Sequence, residues 1–221
     1  MKPVRVEFHC HTRYSKDSLV EPQTLLQACR KKRIDRIVIT DHNTIEGAQR
    51  AKEIDPERVI IGEEVMTQSG ELLGVFVQEL IPPGLTVDQT IRRLRDQNAF
   101  ICVSHPFDQM RNGHWDLASL EEIAALVDAI ETFNARCMWP DANKRAREFA
   151  AKHGKLQLVG SDAHTAFELG KATLRLPDFQ DAAGLRESLE HAQPEVSASP
   201  PWIHFTSRYA VWRKMFARRI K

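Results

Sequence analysis

Apolar residues gather into runs of strand length at eight places along the chain: "VRVEF", "RIVIT", "RVIIGEEV", "ELLGVFV", "FICVS", "VDAIETF", "LQLVG" and "ATLRL". Between most of them the apolar period lengthens to that of a helix. In "EPQTLLQACRKKR", Pro22 stands near the start, where a missing N–H costs little, and Leu25, Leu26 and Cys29 follow at helical spacing. The basic residues of its last turn suit the helix dipole. "SLEEIAAL" opens on a serine able to cap a helix, and "PDANKRAREFAAKHG" begins at Pro140 and stops at Gly154. Strands alternating with helices predict an α/β fold paired in parallel through right-handed crossovers, as an open doubly wound sheet or a closed barrel. The alternation alone does not choose between them. The prolines and serines of "PEVSASPPW" predict a loop, dividing a body over residues 1–194 from a tail over residues 195–221.

A chain of 221 residues can bury one core of barrel size, and two full domains would be a squeeze. The formal net charge of +1 asks for neither nucleic acid nor an anionic membrane as partner. It conceals an asymmetry. From Arg208 to Lys221 there are six Lys or Arg and no acid, and subtracting them leaves the rest of the chain at −5. Cys10, Cys29, Cys102 and Cys137 are widely spaced, with no CxxC pair, so reduced thiols are expected. "MKPVRVEF" lacks the apolar run of a signal peptide, and no stretch has the ~18 apolar residues of a membrane span. A soluble cytoplasmic protein is the expectation.

The ends of the apolar runs carry the ionisable residues. His9, His11 and Asp17 follow the first, Asp41 and His42 the second, Glu64 lies in "GEEV", His105 in "SHPFD", and Asp162 and His164 in "GSDAH". In an α/β barrel the carboxyl ends of the strands share one mouth, so groups about 150 positions apart in sequence would meet there. Imidazoles and carboxylates brought together cannot stay buried unpaired, and divalent cations would supply the missing counter-charge. Within "HCH", extended backbone points His9 and His11 to one side and Cys10 to the other. A single histidine at a strand end is most often a hydrogen-bonded structural residue. Five of the nine histidines in that position, three with an aspartate near by, form a pattern that chance placement seldom gives. His114, His153, His191 and His204 read as ordinary surface residues, and Cys10 and Cys102 as core fillers.

At these residues the sequence resembles the polymerase and histidinol phosphatase (PHP) family, whose motifs are an HxH with a following Asp, a TDH, a Gly-x-Glu, an HP and a late DxH. The likeness spans Val4 to about Pro177, and five motifs in order, each after a strand, are far more specific than any one of them. "IGEEVMTQSGELLGVF", "SHPFD", "ETFNAR" and "GSDAHTAFELGKA" are similar to the branch of small stand-alone metal-dependent phosphoesterases. The resemblance implies a distorted (β/α)7 TIM-like barrel holding two or three divalent ions, commonly manganese, iron or zinc. It places His9, His11, Asp17, His42, Glu64, His105, Asp162 and His164 at ligand positions, with Asp17, Asp162 and His164 also at the catalytic ones. Several members carry a histidine in the hairpin after the glutamate; here "SGELLGVF" offers Glu71, either as its replacement or as a group beside a weaker metal position. Glu63 and Glu64 face opposite ways on a strand, and the Gly-x-Glu spacing selects Glu64.

The expected reaction is hydrolysis of a phosphomonoester or small diester by a metal-activated hydroxide, since such ions lower the pKa of bound water from about 15.7 to near 7. Asp41 could orient an imidazole or serve as a cap. Arg136, after the strand run "AIETF", is the first choice for gripping a phosphate, with Arg13 and Arg111 behind it. A small phosphorylated substrate is the expected partner, and nucleotides, sugar phosphates and histidinol phosphate remain open. Two rival functions are a nuclease, disfavoured by the acidic body, and a non-catalytic metal-stabilised module, disfavoured by eight competent ligand positions. In the tail, Tyr209, Trp212, Phe216 and Ile220 recur at helical spacing among basic residues. A terminal helix docking this aromatic stripe on the barrel is expected, with membrane binding as the minor alternative.

Overall fold

The computed structural model describes residues 3–219, and each of the eight apolar runs forms a strand in it. In chain order the elements are β1 (Val4–Glu7), α1 (Pro22–Lys32), β2 (Arg36–Ile39), α2 (Glu46–Ile54), β3 (Val59–Met66), β4 (Glu71–Val75), α3 (Val87–Asp96), β5 (Phe100–Val103), α4 (Leu117–Ile123), β6 (Ala129–Asn134), α5 (Pro140–Lys152), β7 (Leu156–Gly160), β8 (Ala172–Leu176), α6 (Ala182–Leu189), β9 (Gln193–Val196) and α7 (Ile203–Arg219). Local chemistry sets several of these ends. Pro22 starts α1, and Arg33 stops it in the left-handed region at φ 56°. Thr86 and Gln89 form a reciprocal capping box at α3. The cap of α4 is Asp116, which accepts from Ser119 N at 3.0 Å; the serine expected to cap this helix lies inside its first turn.

The strands form one sheet of order β7-β6-β5-β4-β3-β2-β1-β8-β9. β1, β2 and β3 pair in parallel, as do β5, β6 and β7. The uniformly parallel pairing expected from the sequence fails at β4, which runs antiparallel to both neighbours, and at β8 and β9. A parallel connection needs a dozen or more residues, whereas only "TQSG" joins β3 to β4. Thr67 closes that turn, its Oγ1 donating to Gly70 O at 2.6 Å and accepting from Ser69 N and Gly70 N at 3.1 Å. β9 ends inside the stretch expected to be a loop, at Val196. Pro194 is tolerated there because β9 ends the strand order and pairs only with β8.

The sheet curls into a nearly closed barrel. Its seam is a parallel bridge between Cys10 and Ala163, with His11 N donating to Ala163 O at 2.8 Å and Ala163 N to His9 O at 3.3 Å. Ser18 Oγ reinforces it by reaching the carbonyls of both His11 (3.1 Å) and His164 (3.0 Å). Phe8, Val38, Ile60, Leu73, Phe100 and Leu158 fill the interior. Alternate residues face outward: Ile37 and Ile39 meet Leu25, Leu26 and Cys29 of α1, while Ile101, Val103 and Ile130 meet the helices on the other side. Burying a side chain such as Phe8 or Phe100 contributes roughly 1.5–3 kcal/mol. Cys10 and Cys102 are buried, as expected of core residues, and burial raises both thiol pKa values well above the ordinary range.

The terminal helix contradicts its expected orientation. α7 lies on the body through buried Ile203 and Ala210, with Ser207 Oγ accepting from Arg136 at 2.8 Å and Lys214 Nζ donating to Arg13 O at 2.5 Å. Its aromatic residues face away; Ile220 lies outside the described residues. No described helix is long and apolar enough to cross a membrane.

Candidate metal centre

Five of the six parallel strands, β1, β2, β3, β5 and β7, deliver ligand-type residues at their carboxyl ends. Beyond β1, His9 and His11 turn to one side with ring centroids 5.1 Å apart, and Cys10 turns to the other, its thiol on Val38 O. His42 follows β2, Glu64 lies near the end of β3, His105 follows β5, and Asp162 and His164 follow β7. Asp17 enters from the loop after β1. Because β4 runs the opposite way, its first residue, Glu71, stands at the same mouth. A concavity of ≈ 940 Å³ opens at the other end of the barrel among residues such as Arg36, Glu57, Arg58 and Asp178, and holds none of these groups.

All eight expected ligand residues converge. Glu64 Oε2 lies 3.3 Å from His9 Nε2, 3.4 Å from His11 Nε2 and 3.0 Å from His42 Nδ1, while its Oε1 lies 3.0 Å from His105 Nε2. Asp162 Oδ1 is 3.2 Å from His11 Nε2, 3.4 Å from His164 Nδ1 and 3.7 Å from His9 Nε2. Asp17 Oδ2 bridges His42 Nε2 (3.3 Å) and His164 Nε2 (3.2 Å). Glu71 reaches His42 at 3.5 Å and His105 at 3.6 Å. Four overlapping trios could each surround an ion: His11–His42–His164, His9–His11–Glu64, His9–His105–Asp162 and His42–Glu64–Glu71.

The donor set fits divalent cations. His9 Nε2, His11 Nε2, Glu64 Oε2, Asp162 Oδ1 and Asp17 Oδ1 are buried without a hydrogen-bond partner, an arrangement that would be costly unless something else satisfied them. The charges point the same way. Burial disfavours the protonated form of His9 and His42, yet Glu64, with Glu131 at His9 and Asp17 at His42, outweighs it, raising His9 and pushing His42 up to about 10. His11, pushed down to about 3 by burial and then by His164 and His42, presents a neutral ring. Burial would raise Asp162, but Arg111 and His9 hold it well below the usual carboxylate range. A pocket that draws positive charge this strongly, through mixed nitrogen and oxygen donors, suits divalent cations.

Partners behind the ligands fix their rings. His9 Nδ1 lies 2.9 Å from Glu131 Oε1, a contact that fixes the ring with Nε2 turned inward. Ser15 performs the same task at His11. Its hydroxyl donates to Asp41 Oδ1 (3.0 Å), which leaves the oxygen to accept from His42 N (2.8 Å) and from His11 Nδ1 (3.2 Å). Asp41, which also accepts from Thr12 N and Thr12 Oγ1, therefore orients imidazoles at one remove. Glu63 takes the opposite face of β3 and accepts from Ile81 N at 3.0 Å, leaving Glu64 to the mouth.

The expected phosphate-gripping residues fall differently. Arg136 is buried, with Nε 3.2 Å from Glu168 Oε1 and Nη2 bonded to Ile203 O and Ser207; Nη1 abuts the His164 ring. It braces a ligand instead of facing the mouth, because the Ala135–Cys137 turn and α7 enclose it. Arg13 pairs with Glu21 on the surface. Arg111 is the cation that reaches the site: it pairs with Asp162 and, at 3.2 Å, with Asp108. Sequence reasoning missed Glu131, Ser15, Asn134 and Glu168. Asn134 Nδ2 joins Asp162 (3.2 Å) to Glu131 (3.1 Å). For Glu131 a signal existed, an acid in the middle of the strand run "AIETF".

Two family models match the chain, the PHP domain over residues 7–94 and the PHP-associated domain over residues 140–194. An uncharacterized protein of Methanocaldococcus jannaschii is 34% identical over 179 residues, covering 80% of this chain and 72% of that one. A second from the same organism is 34% identical over 146 residues, 60% of this chain and 82% of its own. Among solved structures, PsfC of Pseudomonas syringae aligns with a TM-score of 0.70 at 17% identity over 98% of this chain and 100% of its own. A two-domain Bacteroides vulgatus protein containing a predicted PHP-like metal-dependent phosphoesterase gives 0.69 at 18% identity; the alignment covers 88% of this chain and 65% of that protein. The lesion-specific endonuclease PfuEndoQ of Pyrococcus furiosus gives 0.60 at 13% identity, over 90% of this chain and 60% of its own. These structures share the fold, and with the family models and the 34% identity they lead to one conclusion: the chain belongs to the PHP family.

Proposed function

We propose that the protein is a phosphoric ester hydrolase that uses two or three divalent ions (manganese, iron or zinc) to cleave a small phosphorylated metabolite, a monoester or small diester. One observation carries this reading: imidazole and carboxylate groups from five strand ends, a loop and a hairpin converge, and among them His9 Nε2, His11 Nε2, Glu64 Oε2, Asp162 Oδ1 and Asp17 Oδ1 are buried with no hydrogen-bond partner. His9, His11, Asp17, His42, Glu64, His105, Asp162 and His164 would hold the ions, with Glu71 beside His42 and Glu64 as a further ligand. When bound, such ions supply Lewis acidity toward phosphoryl oxygens and make water nucleophilic near neutral pH.

The chain's own residues do the rest. Asp17 is held ionised, since His164 and His42 outweigh the effect of its burial, and it sits at the rim, where it can order what enters. Arg111, anchored by Asp162 and Asp108, is placed to bind a phosphate oxygen. Glu131, Ser15 and Arg136 keep the rings of His9, His11 and His164 in position. The test is elemental analysis of the purified protein together with a phosphate-release screen over phosphorylated metabolites. Manganese, iron or zinc should be found, and His9→Ala, Asp162→Ala and His164→Ala should each lose turnover. Turnover retained in all three would refute the assignment. A nuclease would instead bind oligonucleotides with a steep negative salt dependence.

A further inference from the structure

Helix α7 has two opposed faces. Ile203, Ser207, Ala210 and Lys214, three or four residues apart, form the face laid on the body. Phe205, Tyr209, Trp212 and Phe216 repeat at the same spacing on the other side and are 73, 54, 55 and 46% exposed. Trp212 lies 4.6 Å from Phe216 and 6.0 Å from Tyr209 between ring centroids, so the side chains form a continuous ridge. A contiguous aromatic surface left in water is unfavourable and marks a place where something docks.

The charge around the ridge indicates what. Between Ser197 and Lys221 the sequence has no acid, and exposed Arg208 and Arg213 border the ridge on its two sides. Aromatic residues bordered by arginines suit the boundary between headgroups and acyl chains, where the rings are half-buried and the guanidinium groups meet lipid phosphates. A second copy of the helix would set these arginines against each other with no acid in α7 to pair them. A single-stranded nucleic acid needs a continuous basic groove beside its stacking rings, whereas this ridge stands on a single helix and the body carries −5 before the tail is counted. We propose that α7 is a peripheral membrane-binding helix, its Phe205–Tyr209–Trp212–Phe216 ridge entering the interface of a bilayer rich in anionic phospholipid.

The test is flotation of the full chain with vesicles of phosphatidylglycerol and phosphatidylcholine, or of phosphatidylcholine alone. Wild-type protein should float with the anionic vesicles, less so as salt is raised. The double variants Trp212→Ser/Phe216→Ser and Arg208→Glu/Arg213→Glu should each lower the bound fraction about tenfold. Melting temperature and metal content should stay unchanged, which separates loss of binding from loss of folding. No flotation of the wild type, or flotation of both variants equal to that of the wild type, would overturn the proposal. So would a wild-type dimer that light scattering finds dissociated by the ridge substitutions, since a second copy would then be the occupant, or ridge-dependent binding of a single-stranded oligonucleotide.

Discussion

At the scale of single residues, the ligand rings of His9 and His11 depend on Glu131 and Ser15, which hold them from behind. A histidine directly after an apolar run is conspicuous, but the group that orients it can come from anywhere in the fold: Glu131 reaches His9 across 122 positions of sequence. Ser15 is the least conspicuous of these, one hydroxyl serving Asp41, His11 and His42 together. Ser15→Ala should therefore weaken metal binding about 10- to 100-fold, measured by competition with a metal indicator, without unfolding the protein. Unchanged affinity would mean that His11 is held by other means. Glu71→Gln should lower the number of ions per chain found by elemental analysis at saturating metal. A ratio equal to wild type would restrict Glu71 to orienting His42 and His105.

The reversal of β4 is the decisive event at the scale of elements. A tight Thr67–Gly70 turn flips the strand and brings its beginning, rather than its end, to the mouth, which is how a residue outside the parallel-strand logic joins the site. The eight strands could be read from their apolar runs, whereas pairing direction depends on loop length, and β9 was hidden by its proline. Close packing of β7 against β1 and β6 offers a test of how rigidly elements hold ligands. A Cβ at Gly160 would lie 2.2 Å from Glu131 Oε1 and 2.4 Å from His9 Cβ, so neither neighbour can stay in place. Gly160→Ala should cost roughly 1–3 kcal/mol, a fall in melting temperature of about 2–10 °C, and reduce metal content with it.

For the molecule as a whole, the orientation of α7 was the largest misreading, and the reason is physical. The surface it covers is polar, offering the Arg136 guanidinium and the carbonyls of Arg13 and Ser15, so the small and polar face of the helix is the complementary one. Long-range order also rests on Asp128, which accepts from Arg95 of α3 (2.7 Å), Arg186 of α6 (3.0 Å) and Ile101 N of β5 (2.8 Å). Burial would raise its pKa, but the bonds from Arg186, Arg95 and Ile101 outweigh this and lower it. The stabilisation is thus complete above the ordinary carboxylate value of about 3.9 and is lost as pH falls through the folded value. Asp128→Asn should cost roughly 1.5–3 kcal/mol at pH 7, and the gap in melting temperature from wild type should narrow below about pH 4. The seam has a different consequence. Cys10 and Ala163 stitch the barrel shut between two pairs of ligands, His9 with His11 and Asp162 with His164, so cation occupancy and closure are linked equilibria. A chelator should then act as a local denaturant, accelerating deuterium uptake at the amides of His11 and Ala163 while those between β2 and β3 keep their protection.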